Sequence, residues 1–200
     1  VLIVCKVFLL FIPKDEKLIL CSAWFGKRYL DSPRYMYEYL LENSEYKVFW
    51  YTKSKKLYDE LVSRSLPVVY AFSIKGIIKQ VRAKLLISSV CFYDFNIYLF
   101  GKCILFDLDH GFPIKQSGFE IPTYNKRDQL FDLLLRLNVK LYASASSSFV
   151  KNIIVRAERI TPKRIVFCNK PRLDAFFDES LRNNNEIVDK ISAGRKIIVY

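Results

Sequence analysis

Short apolar runs alternate with stretches of helical periodicity along most of the chain from Leu18 onward. Apolar runs bounded by turn residues predict buried strands, and apolar residues spaced three and four apart predict amphipathic helices. Strands that alternate with helices predict βαβ units and a mainly parallel sheet, so the predicted fold class is α/β. Right-handed crossovers then place the carboxyl ends of all these strands at one edge of the sheet.

The pattern also predicts where the elements lie and which helix faces are buried. We expect Asp31 to cap a helix that has Pro33 in its first turn. The predicted strands cover residues 18–22, 46–51, 67–71, 85–88, 103–106, 141–143 and 164–168, and a further apolar run covers 91–98. The other predicted helices start at Ser54 or cover 74–81, 127–137 and 147–157. The predicted buried faces are Met36, Tyr39 and Leu40 in the helix after Asp31, and Leu130, Leu133, Leu134 and Leu137 in the helix at 127–137.

The first twelve residues, VLIVCKVFLLFI, are apolar except for Lys6 and end before Pro13. A membrane span needs about 20 apolar residues, so this segment is too short to cross a bilayer by itself. It fits the end of a membrane helix, an interfacial anchor, or a hydrophobic helix packed on the domain. The charged stretch 14–17 that follows is typical of a membrane-surface flank, which slightly favours membrane association over plain packing.

The composition also predicts where the domain ends. Residues 178–189 are polar and include three consecutive asparagines, as in a linker, whereas the apolar 195–200 predicts a new strand. The predicted division is a membrane-associating or packing segment at 1–13, a domain at 14–178, a linker at 179–194, and the first strand of a second domain at 195–200.

Charge and cysteine usage narrow the possible classes of function. The formal net charge of +12 predicts attraction to anions, whether lipid headgroups, nucleotide phosphates or nucleic acid, and does not choose among them. No recognition motif supports nucleic acid. One histidine and five cysteines without C-x-x-C spacing argue against a zinc site and fit a reducing compartment. The sequence contains no P-loop, G-x-G-x-x-G or G-x-S-x-G motif.

The histidine, His110, follows the predicted strand 103–106 and precedes Gly111. This position corresponds to the ligand-binding edge of an open α/β sheet. Gly111 would let the backbone approach an anionic group, Lys115 would add positive charge, and His110 is suited to act as a general base. The alternative is a turn that holds a solvated histidine.

Two other strand ends carry candidate residues. Arg172 follows the strand 164–168 and would reach an anion held near Gly111, although a surface ion pair with Asp174 explains it equally well. Ser144 and Ser146 precede a helix and could contact phosphate, although helix capping explains them equally well.

Three segments together resemble the CDP-glycerol glycerophosphotransferases, the enzymes that make wall teichoic acid and related phosphate-linked capsules. The first runs from Ile12 to Lys17 and from Trp24 to Leu40. The second, Asp109-His-Gly-Phe-Pro-Ile-Lys-Gln-Ser-Gly118, is similar to the family motif W-H-G-T-P-L-K-x-x-G. The third, Cys168-Asn-Lys-Pro-Arg-Leu-Asp-Ala-Phe-Phe177, is similar to G-Y-P-R-N-D-x-L-F. They occur in the family's order and spacing.

The resemblance implies a GT-B architecture, in which two Rossmann-like domains face each other across a cleft. This chain would form the first domain, a parallel sheet with helices on both faces, and would end at the first strand of the second. The enzyme would lie peripherally on the cytoplasmic side of the cell membrane. It would transfer glycerol phosphate or a similar polyol phosphate from a CDP-activated donor to a hydroxyl of a lipid-linked, undecaprenyl-type acceptor. No cofactor is implied besides the donor substrate.

Carried over by position, the resemblance implies that His110 is catalytic or contacts the pyrophosphate. Gly111, Phe112, Pro113 and Ile114 would line the donor site, and Arg172 would contact the donor. The chain departs from the family motifs at Asp109, Phe112, Ile114, Asn169 and Lys170.

The resemblance implies that the family's remaining donor and catalytic groups, including a second histidine, belong to the domain after Tyr200. We therefore expect the 200 residues to be inactive alone. Two competing hypotheses are a GT-B glycosyltransferase that uses a nucleotide sugar and a non-catalytic remnant that binds the membrane surface.

Overall fold

A seven-stranded, fully parallel sheet organises the computed structural model, which describes residues 2–177. The strands are β1 (Asp15–Cys21), β2 (Lys47–Thr52), β3 (Val68–Tyr70), β4 (Ala83–Ser88), β5 (Cys103–Asp107), β6 (Val139–Ala145) and β7 (Ile165–Phe167). The helices of this part are α1 (Leu2–Leu9), α2 (Asp31–Asn43), α3 (Lys55–Ser63), α4 (Ile74–Arg82), α5 (Lys126–Arg136) and α6 (Ser148–Glu158). Short 3-10 turns occupy Cys91–Asp94, Ile97–Leu99, Gly118–Glu120, Pro162–Arg164 and Pro171–Phe176.

The strand order is β3-β2-β1-β4-β5-β6-β7. The chain begins the sheet with β1, adds β2 and β3 on one side, and then crosses to the other side of β1 to form β4. The gap beyond the carboxyl ends of β1 and β4 is therefore the switch point of the sheet. Open α/β sheets bind ligands in this crevice.

Two hydrophobic cores lie on opposite faces of the sheet. Leu18 and Leu20 of β1 belong to one core, together with side chains of α5 and α6, whereas Ile19 and Cys21 belong to the other, with side chains of α2 and α3. Successive residues of a strand point to opposite faces, so this division shows that helices cover both sides. The predicted Rossmann-like α/β fold, with helices on both faces, is confirmed.

The predicted buried faces of two helices are partly wrong. In α2, Tyr37 is fully buried while Tyr39 is 62% exposed. In α5, Leu135 is fully buried, whereas three of the four leucines predicted to point inward are exposed. The inner side of α5 carries instead Asp132 and Arg136, because Arg136 pairs with Glu158 of α6 at 2.8 Å. The exposed leucines are Leu130, Leu133 and Leu137.

Two further local predictions need correction. The N-cap position of α2 is Leu30, and Asp31 is its first helical residue, with a left-handed φ of 68°. The apolar run predicted at 91–98 forms two 3-10 turns and the short link between them, and along it Phe92 and Phe95 are buried while Tyr93 and Tyr98 are exposed. The predicted linker and the strand predicted at 195–200 lie outside the described residues.

The N-terminal helix α1 turns its lysine inward. The Nζ of Lys6 donates to the carbonyl oxygens of Leu135 at 2.8 Å and Leu137 at 3.0 Å, at the end of α5. Burial lowers the pKa of Lys6 to about 8. None of the helices within residues 2–177 combines the length and apolarity that crossing a bilayer requires.

Candidate active site

The loops after β1, β4, β5 and β7 meet at the carboxyl edge of the sheet, around His110. The side chain of His110 is 52% exposed. Its Nδ1 lies 3.1 Å from the carbonyl oxygen of Ser89 and 3.1 Å from Oδ1 of Asp109. The indole of Trp24 packs edge-on against the imidazole, with 5.8 Å between ring centroids. The ring is thus held by three neighbouring loops.

These contacts determine which nitrogen of His110 carries the proton. A carbonyl oxygen can only accept a hydrogen bond, so Nδ1 donates its hydrogen to Ser89, leaving Nε2 of the neutral ring with a lone pair. A free Nε2 on an exposed imidazole is suited to accept a proton from a hydroxyl.

Arg172 lies beside His110 although the two are far apart in the chain. One terminal nitrogen of its guanidinium donates to the carbonyl oxygen of His110 at 2.8 Å and to Oδ1 of Asp31 at 2.7 Å. The side chain of Asp31 is 2% exposed, and its Oδ2 accepts from Nε1 of Trp24 at 3.1 Å. The ion pair of Arg172 is therefore with Asp31 of α2 rather than with the alternative partner Asp174.

A buried carboxylate, Asp94, joins the loops after β1 and β4. It accepts from the backbone N–H groups of Phe25 at 2.6 Å, Ser89 at 2.7 Å and Val90 at 2.8 Å. Burial raises the pKa of Asp94, and these hydrogen bonds partly oppose the effect by favouring the ionised form. Asp94 thereby fixes the position of Ser89, whose carbonyl oxygen orients His110.

Asp107, at the end of β5, lies beneath the same turn. Its Oδ1 accepts from the Ser88 hydroxyl at 3.0 Å and from the N–H groups of Cys91 at 3.2 Å and Asp109 at 3.3 Å. Burial, together with the nearby charge of Asp109, raises the pKa of Asp107 to about 7. This carboxyl group therefore changes charge near neutral pH.

Lys170 places a positive charge next to Asp109, in the turn that carries His110. Its Nζ donates to the carbonyl oxygen of Leu108, lies 3.3 Å from the hydroxyl of Ser144, and is 3.8 Å from Oδ2 of Asp109. Lys170 stands at one of the positions where the sequence departs from the family motif. The structure places this departure in contact with another, Asp109.

The predicted phosphate contacts differ in their placement. Ser144 is fully buried and donates to the carbonyl oxygen of Leu108 at 3.0 Å, so its hydroxyl is engaged inside the fold. Ser147, not Ser144, caps α6. Ser146 and Lys115 are exposed, so their predicted contacts stay predictions.

The other residues predicted to line the donor site follow His110 directly in the chain. Phe112 and Ile114 are exposed, and Phe112 stacks on Phe149 at the start of α6 with 6.3 Å between centroids. A Cβ added at Gly111 would meet no atom of the described residues within 4 Å. The glycine is therefore not required by packing inside the described chain.

Three contributors to the site were missed by the sequence analysis: Trp24, Asp31 as the partner of Arg172, and Asp94. Each acts through a contact between loops that are distant in the chain, which no local pattern reveals. Within residues 2–177, no group of three or more histidine, cysteine or acidic side chains is arranged to hold a metal ion.

The model of the family described as CDP-glycerol:poly(glycerophosphate) glycerophosphotransferase matches residues 4–200. The chain belongs to this family. It is 25% identical over 207 residues to the teichoic acid glycerol-phosphate transferase of Staphylococcus aureus (strain NCTC 8325 / PS 47), covering 93% of this chain and 50% of that protein. It is 22% identical over 200 residues to the teichoic acid poly(glycerol phosphate) polymerase of Bacillus subtilis (strain 168), covering 94% of this chain and 26% of that protein.

Solved structures of the wall teichoic acid polymerase TagF share the fold. One TagF variant matches with a TM-score of 0.69 at 20% identity, covering 90% of this chain and 44% of that chain. A TagF variant soaked with CDPG matches with a TM-score of 0.70 at 21% identity, covering 90% and 45%. The match confirms a Rossmann-like domain of a GT-B-like fold. The chain spans half or less of the length of these relatives.

Proposed function

We propose that the protein transfers a polyol phosphate, with glycerol phosphate as the first candidate, from a CDP-activated donor to a hydroxyl of a lipid-linked acceptor. The observation that carries the proposal is the junction of His110 and Arg172 at the carboxyl edge of the sheet, in a chain of this family. The two curated relatives are named for glycerol-phosphate transfer and polymerisation, and one TagF variant was soaked with CDPG. These likenesses support a transferase that uses CDP-glycerol.

In the proposed reaction His110 is the general base. Its Nε2 takes the proton of the acceptor hydroxyl while the hydroxyl oxygen forms a bond to the phosphorus that carries the polyol. The bond from that phosphorus to the oxygen of CMP breaks, and CMP leaves with the electron pair. Phosphoryl transfer needs this positioning together with positive charge near the phosphates.

Arg172 contributes to this step in two ways. It brings a guanidinium, whose planar geometry matches phosphate oxygens, to the rim next to His110. It also ties the carbonyl oxygen of His110 to the buried carboxylate of Asp31, which holds the base in place. Lys115, which is exposed on the loop that carries His110, offers further positive charge to the donor.

The protein is further proposed to bind the cytoplasmic surface of an anionic membrane, where a lipid-linked acceptor would be found. The support comes from α1 and the residues just after it. Lys6 points inward, whereas Val4, Val7, Phe8 and Phe11 are exposed. A helix with its apolar side chains facing out and a net charge of +12 behind it suits the surface of an anionic membrane.

The decisive test is CMP release by the full-length protein from CDP-glycerol and a lipid-linked acceptor. Turnover of a UDP- or CMP-sugar without CMP release from CDP-glycerol would refute the proposal in favour of a glycosyltransferase. No turnover of either donor would favour a binding protein. The same assay on the 200 residues alone tests the expectation that they are inactive.

The proposed role of His110 has its own test. His110→Asn in the full-length protein should lower kcat for CMP release by about 10²–10⁴-fold, the usual contribution of a general base. Thermal stability should stay unchanged because the side chain is half exposed. Asp59→Asn, on the exposed surface of α3, is the matched control. An unchanged kcat in His110→Asn would remove this residue from the mechanism.

A further inference from the structure

A cavity of about 350 Å³ lies beside His110, which lines it together with Ser89 and Pro113. The volume is within the range of about 300–1,000 Å³ that is usual for small-molecule sites. The cavity extends to α5 and α6, so most of its wall is distinct from the rim where Arg172 lies. The proposed donor contacts do not account for it.

The polar part of the cavity wall is acidic. Asp107, Asp109, Asp132 and Glu158 line it, and Arg136 is the one lysine or arginine among the described lining residues. The guanidinium of Arg136 is already paired, with 2.8 Å to Oε2 of Glu158 and 3.9 Å to Oδ2 of Asp132. The wall carries a net negative charge even when Asp107 holds its proton. A phosphate or diphosphate would be repelled there.

The same wall suits an uncharged ligand with several hydroxyl groups. Carboxylates accept hydrogen bonds from hydroxyls, and the lining tyrosines Tyr93 and Tyr124 both donate and accept. Apolar lining side chains such as Leu141 and Ile154 would contact the C–H surface of such a ligand. Small-molecule sites commonly combine an apolar wall with a few converging polar groups.

We propose that this cavity binds the uncharged, hydroxyl-bearing end of the acceptor, a sugar or a polyol unit, and presents one of its hydroxyls to His110. This inference rests on the proposed function, because it assigns the second substrate of the same reaction. The acidic cavity and the basic rim would then separate the two substrates by charge, with His110 at the border between them.

Direct binding to the full-length protein tests the cavity without requiring turnover. With CDP in excess to occupy the basic rim, saturation-transfer NMR would compare glycerol, methyl glucoside and glycerol 3-phosphate as soluble probes of the cavity. At least one uncharged probe should bind, and glycerol 3-phosphate should bind at least about tenfold more weakly than that probe. Glycerol binding alone identifies a polyol end and glucoside binding alone a sugar end. Tighter binding of glycerol 3-phosphate, or no binding of either uncharged probe, would overturn the proposal.

Two variants act on the cavity by different routes. Asp132→Asn removes a negative charge from the cavity wall without changing the shape of the cavity. Ile121→Trp fills the cavity from the side where Ile121 is partly exposed. Both should weaken binding of the uncharged probe about tenfold or more, whereas Asp59→Asn should not. Unfolding midpoints verify folding, and either variant alone decides the matter if the other does not fold. Unchanged binding in a folded cavity variant would overturn the proposal.

Kinetics of CMP release separate this inference from the proposed function. The cavity variants should raise KM for the acceptor about tenfold or more and leave KM for CDP-glycerol within about twofold. A rise in the donor KM instead would overturn the cavity assignment. If the unmodified protein releases no CMP, the proposed function fails, while the binding measurements still decide whether the cavity takes an uncharged hydroxylated ligand.

Discussion

Backbone strain is concentrated around His110. Of the eight non-glycine residues with positive φ in the described part of the chain, five belong to the segments that meet around the imidazole or hold Arg172. Such conformations cost about 1–3 kcal/mol each and persist where the surrounding contacts impose them. Here the hydrogen bonds of Asp94, Asp31 and Asp109 supply those contacts. The five residues are Trp24, Phe25, Asp31, Cys91 and Asp109.

Gly111 offers a test of ligand approach at a single residue. Gly111→Ala should change the free energy of unfolding by no more than about 0.5 kcal/mol, because the new methyl group meets nothing within 4 Å. If the donor lies against this backbone, KM for CDP-glycerol should nevertheless rise about tenfold or more. Denaturant unfolding and CMP-release kinetics measure the two effects. An unchanged KM would show that the donor does not approach Gly111.

Gly118 provides the contrast. It has a φ of 54°, and an added Cβ would lie 2.2 Å from the carbonyl oxygen of Ala157. Gly118→Ala should therefore destabilise the chain by about 1–3 kcal/mol. Folding therefore requires a glycine at position 118, whereas the backbone at Gly111 is open to a ligand.

At the scale of elements, the ion pair of Arg172 with Asp31 joins the last described turn to α2 and to the loop after β5. Arg172→Gln leaves a buried carboxylate that Trp24 and Ser32 satisfy only in part. We expect a loss of about 1–3 kcal/mol in the free energy of unfolding, together with a lower kcat. Denaturant unfolding and CMP release measure these changes.

The control for Arg172 is an exposed ion pair within one helix. Lys55 pairs with Asp59 at 2.7 Å between neighbouring turns of α3, and both side chains are exposed. Lys55→Gln should cost only about 0.3–0.5 kcal/mol, as is usual for such pairs. Equal losses in the two variants would mean that the contact between Arg172 and Asp31 has no special structural role.

The outward apolar side of α1 leads to a prediction for membrane binding. Phe8→Asp combined with Phe11→Asp should weaken binding to anionic liposomes at least about tenfold, since burying one phenylalanine contributes about 1.5–3 kcal/mol. The inward contacts of Lys6 would remain and keep α1 in place. Liposome sedimentation measures the change. Phe72→Asp combined with Ile74→Asp is the control, at two exposed apolar side chains after β3, and equal losses in both proteins would show that α1 is not the membrane-binding element.

For the whole molecule, the sequence predicted the positions of the strands better than the order of the strands in the sheet or the buried faces of the helices. All seven strands were found because a parallel sheet covered on both faces needs nearly continuous apolar runs. Their order was not predictable, since it depends on which side of β1 each crossover takes. The wrong inward face of α5 has a similar cause. Its inner position is stabilised by the pairing of Arg136 with Glu158, a contact across 22 residues that helical periodicity cannot reveal.

The candidate site shows the same limit. His110 and Arg172 could be proposed from their motifs and from the rule that parallel strands end at one edge. The residues that orient them could not, because Trp24, Asp31 and Asp94 act through loop geometry. In Asp31 the misleading signal was helix capping, since an aspartate at that position is a common N-cap. In the structure its carboxylate accepts from Arg172, from Trp24 and from the backbone N–H of the next residue, Ser32.

Stability as a function of pH is a property of the whole molecule that the burial of Asp107 should influence. Its pKa of about 7 in the folded protein exceeds the value near 4 of an unfolded chain. Between about pH 4 and pH 7 the folded protein therefore retains a proton that the unfolded chain has lost, so this group's stabilising contribution falls as the pH rises and levels off above pH 7. A difference of about three in pKa corresponds to at most about 4 kcal/mol.

Asp107→Asn removes this titration while keeping an oxygen that can accept from Ser88. The free energy of unfolding of the variant, relative to the unmodified protein, should therefore be higher at pH 8 than at pH 4.5, by an amount up to that limit of about 4 kcal/mol. Denaturant unfolding at a series of pH values measures the difference. Asp59→Asn, at an exposed pair with Lys55, should change stability by no more than about 1 kcal/mol. If the difference between Asp107→Asn and the unmodified protein is the same at both pH values, Asp107 is ionised throughout, and the turn beneath His110 holds a permanent negative charge.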